Sequence, residues 1–152
     1  MNIKHYQNLP SESYKYIYNR VPRLCVDVVI RNVGDVLLSR RSIPPHIGRW
    51  YLPGGRVYKH ELLEDAAKRI CLRELGVRAK AVKVLGVIEY VREPRAPRFI
   101  THSVSVVFLV RPTAGTFRGS RQAREVSFFK SLPKNTAPEV REFLRGHHFI
   151  KR

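Results

Sequence analysis

Two carboxylates frame the part of this chain best suited to chemistry. Glu61 and Glu74 lie within the segment GRVYKHELLEDAAKRICLRELGV, which runs from Gly55 to Val77 and holds Arg69 between them. Carboxylates three or four residues apart share a helix face and converge on a cation. The positions that would extend the acidic face of Glu74 hold Ile70 and Arg73 instead. Magnesium takes hard oxygen ligands and keeps several waters. The segment therefore argues against a cage for several ions and leaves room for one on Glu74, completed by a backbone carbonyl, substrate phosphate and water. Gly54-Gly55 lets the backbone pass close to a ligand, although a tight turn alone would also use it. A third carboxylate, Asp27, stands in an otherwise apolar run. Buried there it needs a partner, and a sugar hydroxyl or a nearby arginine would serve.

Periodicity gives the elements that must position these groups. Glu61 to Leu75 reads as a helix, with Leu63, Ala66, Ala67, Ile70 and Cys71 in one apolar stripe. Glu61 would open it, where a carboxylate suits the helix dipole, and pair with Arg69 on a nearby face. Gly76 stops it. Residues 11–20 predict a short leader helix capped by Ser11 and ended by Pro22. Leu24 to Arg31 predicts a mostly buried strand, Val33-Gly34-Asp35 a turn, and Val36 to Arg41 a hairpin partner. Ala79 to Glu93 predicts a long strand bent near Gly86. Arg92 to Arg98 predicts a stiff basic loop whose Arg92, Arg95 and Arg98 could clamp a phosphate, with solvated arginines the favoured account, and Thr101 to Val110 predicts a second long strand. Glu125 to Phe129 predicts a short strand, and Pro138 to Arg145 a last helix beginning near Thr136. Trp50 and His102 are expected to pack, and His147 and His148 to lie in a basic tail. Strands in mixed order around one buried helix argue for an α/β layer fold.

The chain has 152 residues, 43% of them hydrophobic, enough for one domain over 1–152 with a real core. No apolar run approaches the length of a membrane span and no signal-peptide pattern opens the chain, so the expectation is a cytoplasmic protein without a membrane partner. Lys and Arg total 29 against 12 acids, a net charge of +17. Such a field attracts nucleotides and nucleic acid. The basic residues are scattered, which favours a solvated basic surface over a dedicated RNA-binding face. Cys25 and Cys71 have no C-x-x-C partner and are expected to be core thiols.

The spacing Gly55, Glu61, Arg69, Glu74, Gly76-Val77 resembles the Nudix box, G-x5-E-x7-R-E-U-x-E-E-x-G-U with U aliphatic, over residues 55–77. Two of the box glutamates fall on Ile70 and Arg73. The altered run Arg69-Ile70-Cys71-Leu72-Arg73-Glu74-Leu75-Gly76 resembles the GDP-mannose mannosyl hydrolase branch. The leader helix, Val21-Pro22-Arg23-Leu24-Cys25-Val26-Asp27, Gly48 to Val57, and Thr101-His102 are similar to that branch as well. The resemblance implies the Nudix fold, a mixed β-sheet sandwiched between α-helices. It implies Mg2+ on the Gly54 carbonyl, Glu74 and Gln122. It implies a nucleotide-sugar substrate held by Arg41, Arg56, Asp27 and Arg69, the first three also catalytic, and a homodimer. Guanidinium forks suit phosphate oxygens and the charge growing on a departing diphosphate. Where the branch carries its general-base histidine, this chain has Ala123, so Glu125, Asp27 or another group would have to serve.

Three activities follow from these residues. The first is hydrolysis of a nucleoside-diphosphate sugar, GDP-mannose or a relative, by attack at the anomeric carbon. The second is cleavage of the phosphoanhydride, against which Ile70 and Arg73 argue. The third is a catalytically silent domain that binds nucleotide or RNA, which Ala123 favours and the retained Glu74 and Gly54-Gly55 oppose.

Overall fold

Apolar alternation pairs the strands into two sheets. The computed structural model describes residues 9–150. The chain runs α1 (Ser11–Tyr18), β1 (Arg23–Val29), β2 (Arg31–Asn32), β3 (Asp35–Arg40), β4 (Trp50–Tyr51), β5 (Gly54–Arg56), α2 (Leu63–Leu75), β6 (Val77–Ala96), β7 (Phe99–Gly115), β8 (Glu125–Phe129) and α3 (Pro138–Gly146). One sheet has the order β5-β1-β7-β6, and the other has β2-β3-β4 with β8 on the free side of β3. The first is mixed. β1 runs parallel to β7, with Asp27 opposite Val107, and antiparallel to β5, with Asp27 opposite Gly54.

Each side of the structure buries a helix. The stripe Ala66, Ala67, Ile70, Cys71 and Leu75 of α2 packs on Val26, Val28, Leu37, Phe108 and Val110. Val140 and Leu144 of α3 pack with Val29, Leu38, Trp50 and Val107. This is the α/β arrangement expected, a mixed sheet between helices. Side chains alternate across a strand, so Arg23, Cys25 and Asp27 of β1 share one face, beside Ser103 and Ser105 of β7. That polar row becomes the floor of a pocket. Ile70 is buried against the core, and a Cβ on Gly55 would lie 3.6 Å from it. An acid at position 70 would be buried in an apolar wall.

Several local expectations need correction. Ser11 does not cap α1: Pro10 holds the N-cap position, no side chain caps it, and the helix ends at Tyr18, not residue 20. α2 begins at Leu63, so Glu61 lies in the turn before it. The stretch Arg92 to Arg98 is no loop. β6 continues to Ala96 and turns back after Pro97-Arg98, so the hairpin is longer than periodicity suggested, because bulges shift the alternation at Tyr90/Glu93 and Pro94/Ala96. The bend at Gly86 is present, with a register shift at Val84/Gly86. Gly76 ends α2 at φ 71°, in the left-handed region, and its N–H reaches the carbonyls of Cys71 and Leu72.

The turn that carries the sequence from β5 into α2 is held by one ion pair. Arg69 Nε lies 2.6 Å from Glu61 Oε1, Arg69 Nη2 lies 2.9 Å from Oε2, and Nη2 also donates to the Arg56 carbonyl at 2.8 Å. The Tyr58 N–H donates to Glu61 at 3.0 Å, and the Tyr58 ring stacks 3.9 Å from the Arg69 guanidinium. The two side chains are 17% and 2% exposed. Burial alone would raise the Glu61 carboxyl; the Arg69 hydrogen bonds outweigh it and hold the carboxyl below its usual 4.5. Breaking a buried pair by removing one partner costs roughly 3–5 kcal/mol. Arg69→Ala should therefore lower the melting temperature by about 10 °C at pH 7. A depressed carboxyl stabilises above its unfolded pKa and loses that effect as pH falls. The gap between wild type and Arg69→Ala should thus narrow below pH 4.5, as thermal melts across pH would measure.

Candidate active site

Glu74 is buried at the C-terminal end of α2, facing a pocket of about 250 Å³. Its position depends on the loop after β7. The Ser120 hydroxyl donates to Glu74 Oε2, and the same oxygen, Ser120 Oγ, accepts from the Gln122 and Ala123 N–H groups. The Gln122 carbonyl accepts from Ser42 N–H at 2.8 Å, which ties this loop to the one after β3. Gln122 and Ala123 thereby line the pocket beside Glu74, Gly54 and Gly55. Arg73 Nε stands 3.8 Å from Glu74 Oε1, while its Nη1 donates to the Tyr58 hydroxyl at 2.8 Å.

These donors bear on a metal. Among the described residues no three His, Cys, Asp or Glu side chains gather into a metal site. A single carboxylate, an amide and backbone carbonyls do not fit a resident cage. They do fit a magnesium ion that arrives with a diphosphate, since such ions take one or two carboxylates and complete their shell with phosphate and water.

Asp27 lines the same pocket. It is buried and accepts a hydrogen bond from the Tyr90 hydroxyl at 2.9 Å. Its partner within the protein is a phenol, where the expectation was a sugar hydroxyl or a nearby arginine. A Cβ built on Gly54 would fall 1.9 Å from Asp27 Oδ1, so glycine at 54 is what lets the carboxylate stand there. Burial pushes the Asp27 carboxyl up to about 7, against the Tyr90 bond that works to lower it. Burial and the neighbouring Asp27 both raise the Tyr90 hydroxyl well above its usual value.

The arginines divide between two hollows. Arg41 lines the first pocket, with Nε 2.8 Å from the Pro45 carbonyl and Nη2 2.7 Å from that of Pro44. Burial lowers its pKa. Arg56 lines a second hollow of about 220 Å³ with Tyr58, Arg69 and Arg73, and Tyr14, Arg23, Gly55, Glu74 and Gln122 line both. Arg41 and Arg56 thus approach Glu74 from different sides. The Arg69 fork is committed to Glu61 and the Arg56 carbonyl. Glu125 is exposed, pairs with Arg40 at 3.4 Å, and does not line the pocket. Trp50 is core, T-stacked on Phe129 at 4.8 Å, while Tyr51 lines the pocket. His147 bridges the Phe143 and Leu85 carbonyls, 2.9 Å from each.

Part of the pocket lining was missed from sequence. Arg23, Tyr90, Glu93, Arg95, Ser103 and Ser105 all line it. Assigning Arg95 to a solvated loop hid it, whereas its side chain is 17% exposed and donates to Thr101 at 2.6 Å. One signal was available: Thr101, Ser103 and Ser105 alternate hydroxyls along β7, an odd face for a strand meant to be core.

Comparison with known proteins agrees with this fold. A family model for the NUDIX domain matches residues 21–149. The low-salt glycan biosynthesis protein Agl8 of Haloferax volcanii is 31% identical over 138 residues, covering 90% of this chain and 88% of that one. An ADP-ribose pyrophosphatase of Methanocaldococcus jannaschii is 34% identical over 122 residues, covering 79% and 70%. The crystal structure of a MutT NUDIX hydrolase from Burkholderia pseudomallei superposes with a TM-score of 0.73 at 27% identity, over 83% of this chain and 98% of that one. With its box on the loop and helix that carry Glu74, this chain belongs to the Nudix hydrolase family.

Proposed function

We propose that this Nudix hydrolase acts on a nucleoside-diphosphate sugar, GDP-mannose or a relative, and cuts at the anomeric carbon with Mg2+ as cofactor. One observation carries the reading: the box helix brings a single carboxylate, Glu74, to a pocket whose other lining holds hydroxyls, guanidinium groups and the carboxylates of Asp27 and Glu93. Cleavage at phosphorus relies on several carboxylates around the metal. Cleavage at carbon asks mainly for support of the leaving diphosphate. Glu74, the Gln122 side chain and the Gly54 carbonyl would hold the ion. Bound there, it would neutralise charge on the departing group.

Asp27 is the best base in reach. Water attacks the anomeric carbon, the bond from that carbon to the phosphate oxygen breaks, and the nucleoside diphosphate leaves with the electron pair. Asp27 takes the proton that the water loses, a task suited to a carboxyl near 7. Arg41 and Arg56 stand on two sides of Glu74 to receive phosphate oxygens. The glycan biosynthesis relative supports a sugar nucleotide as substrate. The ADP-ribose pyrophosphatase relative supports the second reading, attack at phosphorus.

Reaction in ¹⁸O-water separates the two. Label in the released sugar is expected, and label in phosphate would replace the proposal with the second reading. Glu74→Gln should abolish the dependence of turnover on Mg2+; an unchanged titration curve would remove Glu74 from the metal set.

Asp27→Asn should reduce kcat by about 10²–10⁴ and remove the rise of kcat/KM with pH near 7. A folded-state pKa above the unfolded 3.8 means that Asp27 opposes folding increasingly as pH climbs from about 4 to about 7. Asp27→Asn should therefore melt higher than wild type at pH 8 and show no such gain near pH 4. Calorimetry at the two pH values checks the sign.

A further inference from the structure

The pocket also holds a charged cluster, Arg23, Glu93 and Arg95, that the reaction proposed at Glu74 does not use. Glu93 Oε1 lies 3.8 Å from Arg23 Nη1 and 3.7 Å from Arg95 Nη2, and it accepts from the Ser103 and Thr101 hydroxyls. All three charged side chains are at most 17% exposed. Two guanidinium groups face one carboxylate, an excess of one positive charge among these three side chains. The forks are also largely uncommitted. Among the described residues Arg23 makes one hydrogen bond, to Ser103 at 3.0 Å, and Arg95 one, to Thr101 at 2.6 Å. Arg23 Nε is buried with no hydrogen-bond partner among them.

A buried charge without a matching partner is strongly unfavourable. A purely structural staple would be neutral and hydrogen-bonded throughout. This cluster is neither, and it opens onto a cavity. What completes it is an acceptor-only group with one negative charge. A carboxylate meets both conditions and takes guanidinium forks in bidentate fashion. The diphosphate of a sugar nucleotide, with one negative charge on each phosphorus, is the competing occupant, and pairs of substrates that differ only in the carboxylate distinguish the two.

We infer that Arg23 and Arg95 form an anion subsite, which reads a carboxylate on the sugar half of the substrate. Resting on the reading of a nucleotide-sugar hydrolase, the inference narrows the substrate class to nucleoside-diphosphate hexuronates. The diphosphate would lie toward Glu74 and Arg41, and the sugar would cross Asp27 with its acid group at Arg23 and Arg95.

Matched pairs test this: GDP-mannuronate against GDP-mannose, and UDP-glucuronate against UDP-glucose. Equilibrium binding is measured in EDTA, so that the result does not depend on turnover. The full-length protein should bind at least one acidic sugar nucleotide roughly tenfold or more tightly than its neutral partner, the scale of a hydrogen bond to a charged group. Arg95→Gln should bring that ratio close to one. Should Arg95→Gln melt early in a thermal scan, Arg95→Lys keeps the charge, loses the fork and should still lower the ratio. Equal or weaker binding of both acidic members by wild type overturns the inference, as does a ratio that survives every folded Arg95 variant. A separate assay with Mg2+ addresses the parent reading. Absence of hydrolysis of all four compounds would count against the proposed reaction, while the binding ratio would still decide the subsite.

Discussion

The pocket depends on one close approach. β5 crosses β1 so tightly at Gly54 that the space of a Cβ is filled by the Asp27 carboxylate. Any side chain at 54 would displace Asp27 or part the two strands, and the start of the box would move with them. The approach therefore couples three things: the register of β1 with β5, the presence of a carboxylate in the pocket floor, and the path of the backbone past Glu74. Glycine is needed at 54 for contact, whereas at 76 it is needed for a left-handed turn. The two glycines bracket the box for different physical reasons.

Charge follows a similar division between surface and pocket. The net +17 is mostly spread over solvated positions, where salt screens it. Inside the pocket a few groups carry the electrostatics: Arg23, Arg41 and Arg95 against Glu74, Glu93 and a carboxyl at Asp27 that titrates near 7. Low surroundings of polarity strengthen each of these interactions relative to the surface ones. A long-range basic field would draw in any nucleotide, and selection among nucleotides falls to the buried set.

Much of this arrangement is legible in sequence where a local rule applies. The α2 stripe, the stop at Gly76 and the Glu61–Arg69 pair each follow from spacing along one helix and its approach turn. The strands β1 and β8 follow from alternation or from a short apolar run. The long hairpin is read only in part, because its bulges break the period that alternation relies on. That is why Glu93 and Arg95 fell outside the expected site: they become neighbours of Arg23 only through the parallel pairing of β1 with β7, a contact between residues distant in the chain. Ser120 escapes notice for the same reason, since its bond to Glu74 spans a loop with no periodic signal.

Two carboxylates show how environment separates structure from chemistry in this chain. Glu61 is buried, yet the bidentate Arg69 fork outweighs the burial and keeps it ionised well into acid. Asp27 is buried with only uncharged hydroxyls, those of Tyr90 and Ser105, set against the burial, and burial prevails. The first arrangement stabilises the fold near neutral pH and resists a change of protonation. The second opposes folding at the same pH and puts a proton-accepting group near its midpoint. A carboxylate that lowers stability at neutral pH is hard to account for by packing, because asparagine would accept the same Tyr90 hydrogen bond without the charge. Groups displaced in this direction, in a cleft, beside a backbone that glycine alone permits, are where acid–base chemistry is expected. Ala123 fits the same account: with a titrating carboxylate already in the floor of the pocket, the loop after β7 is left to hold Glu74 through Ser120.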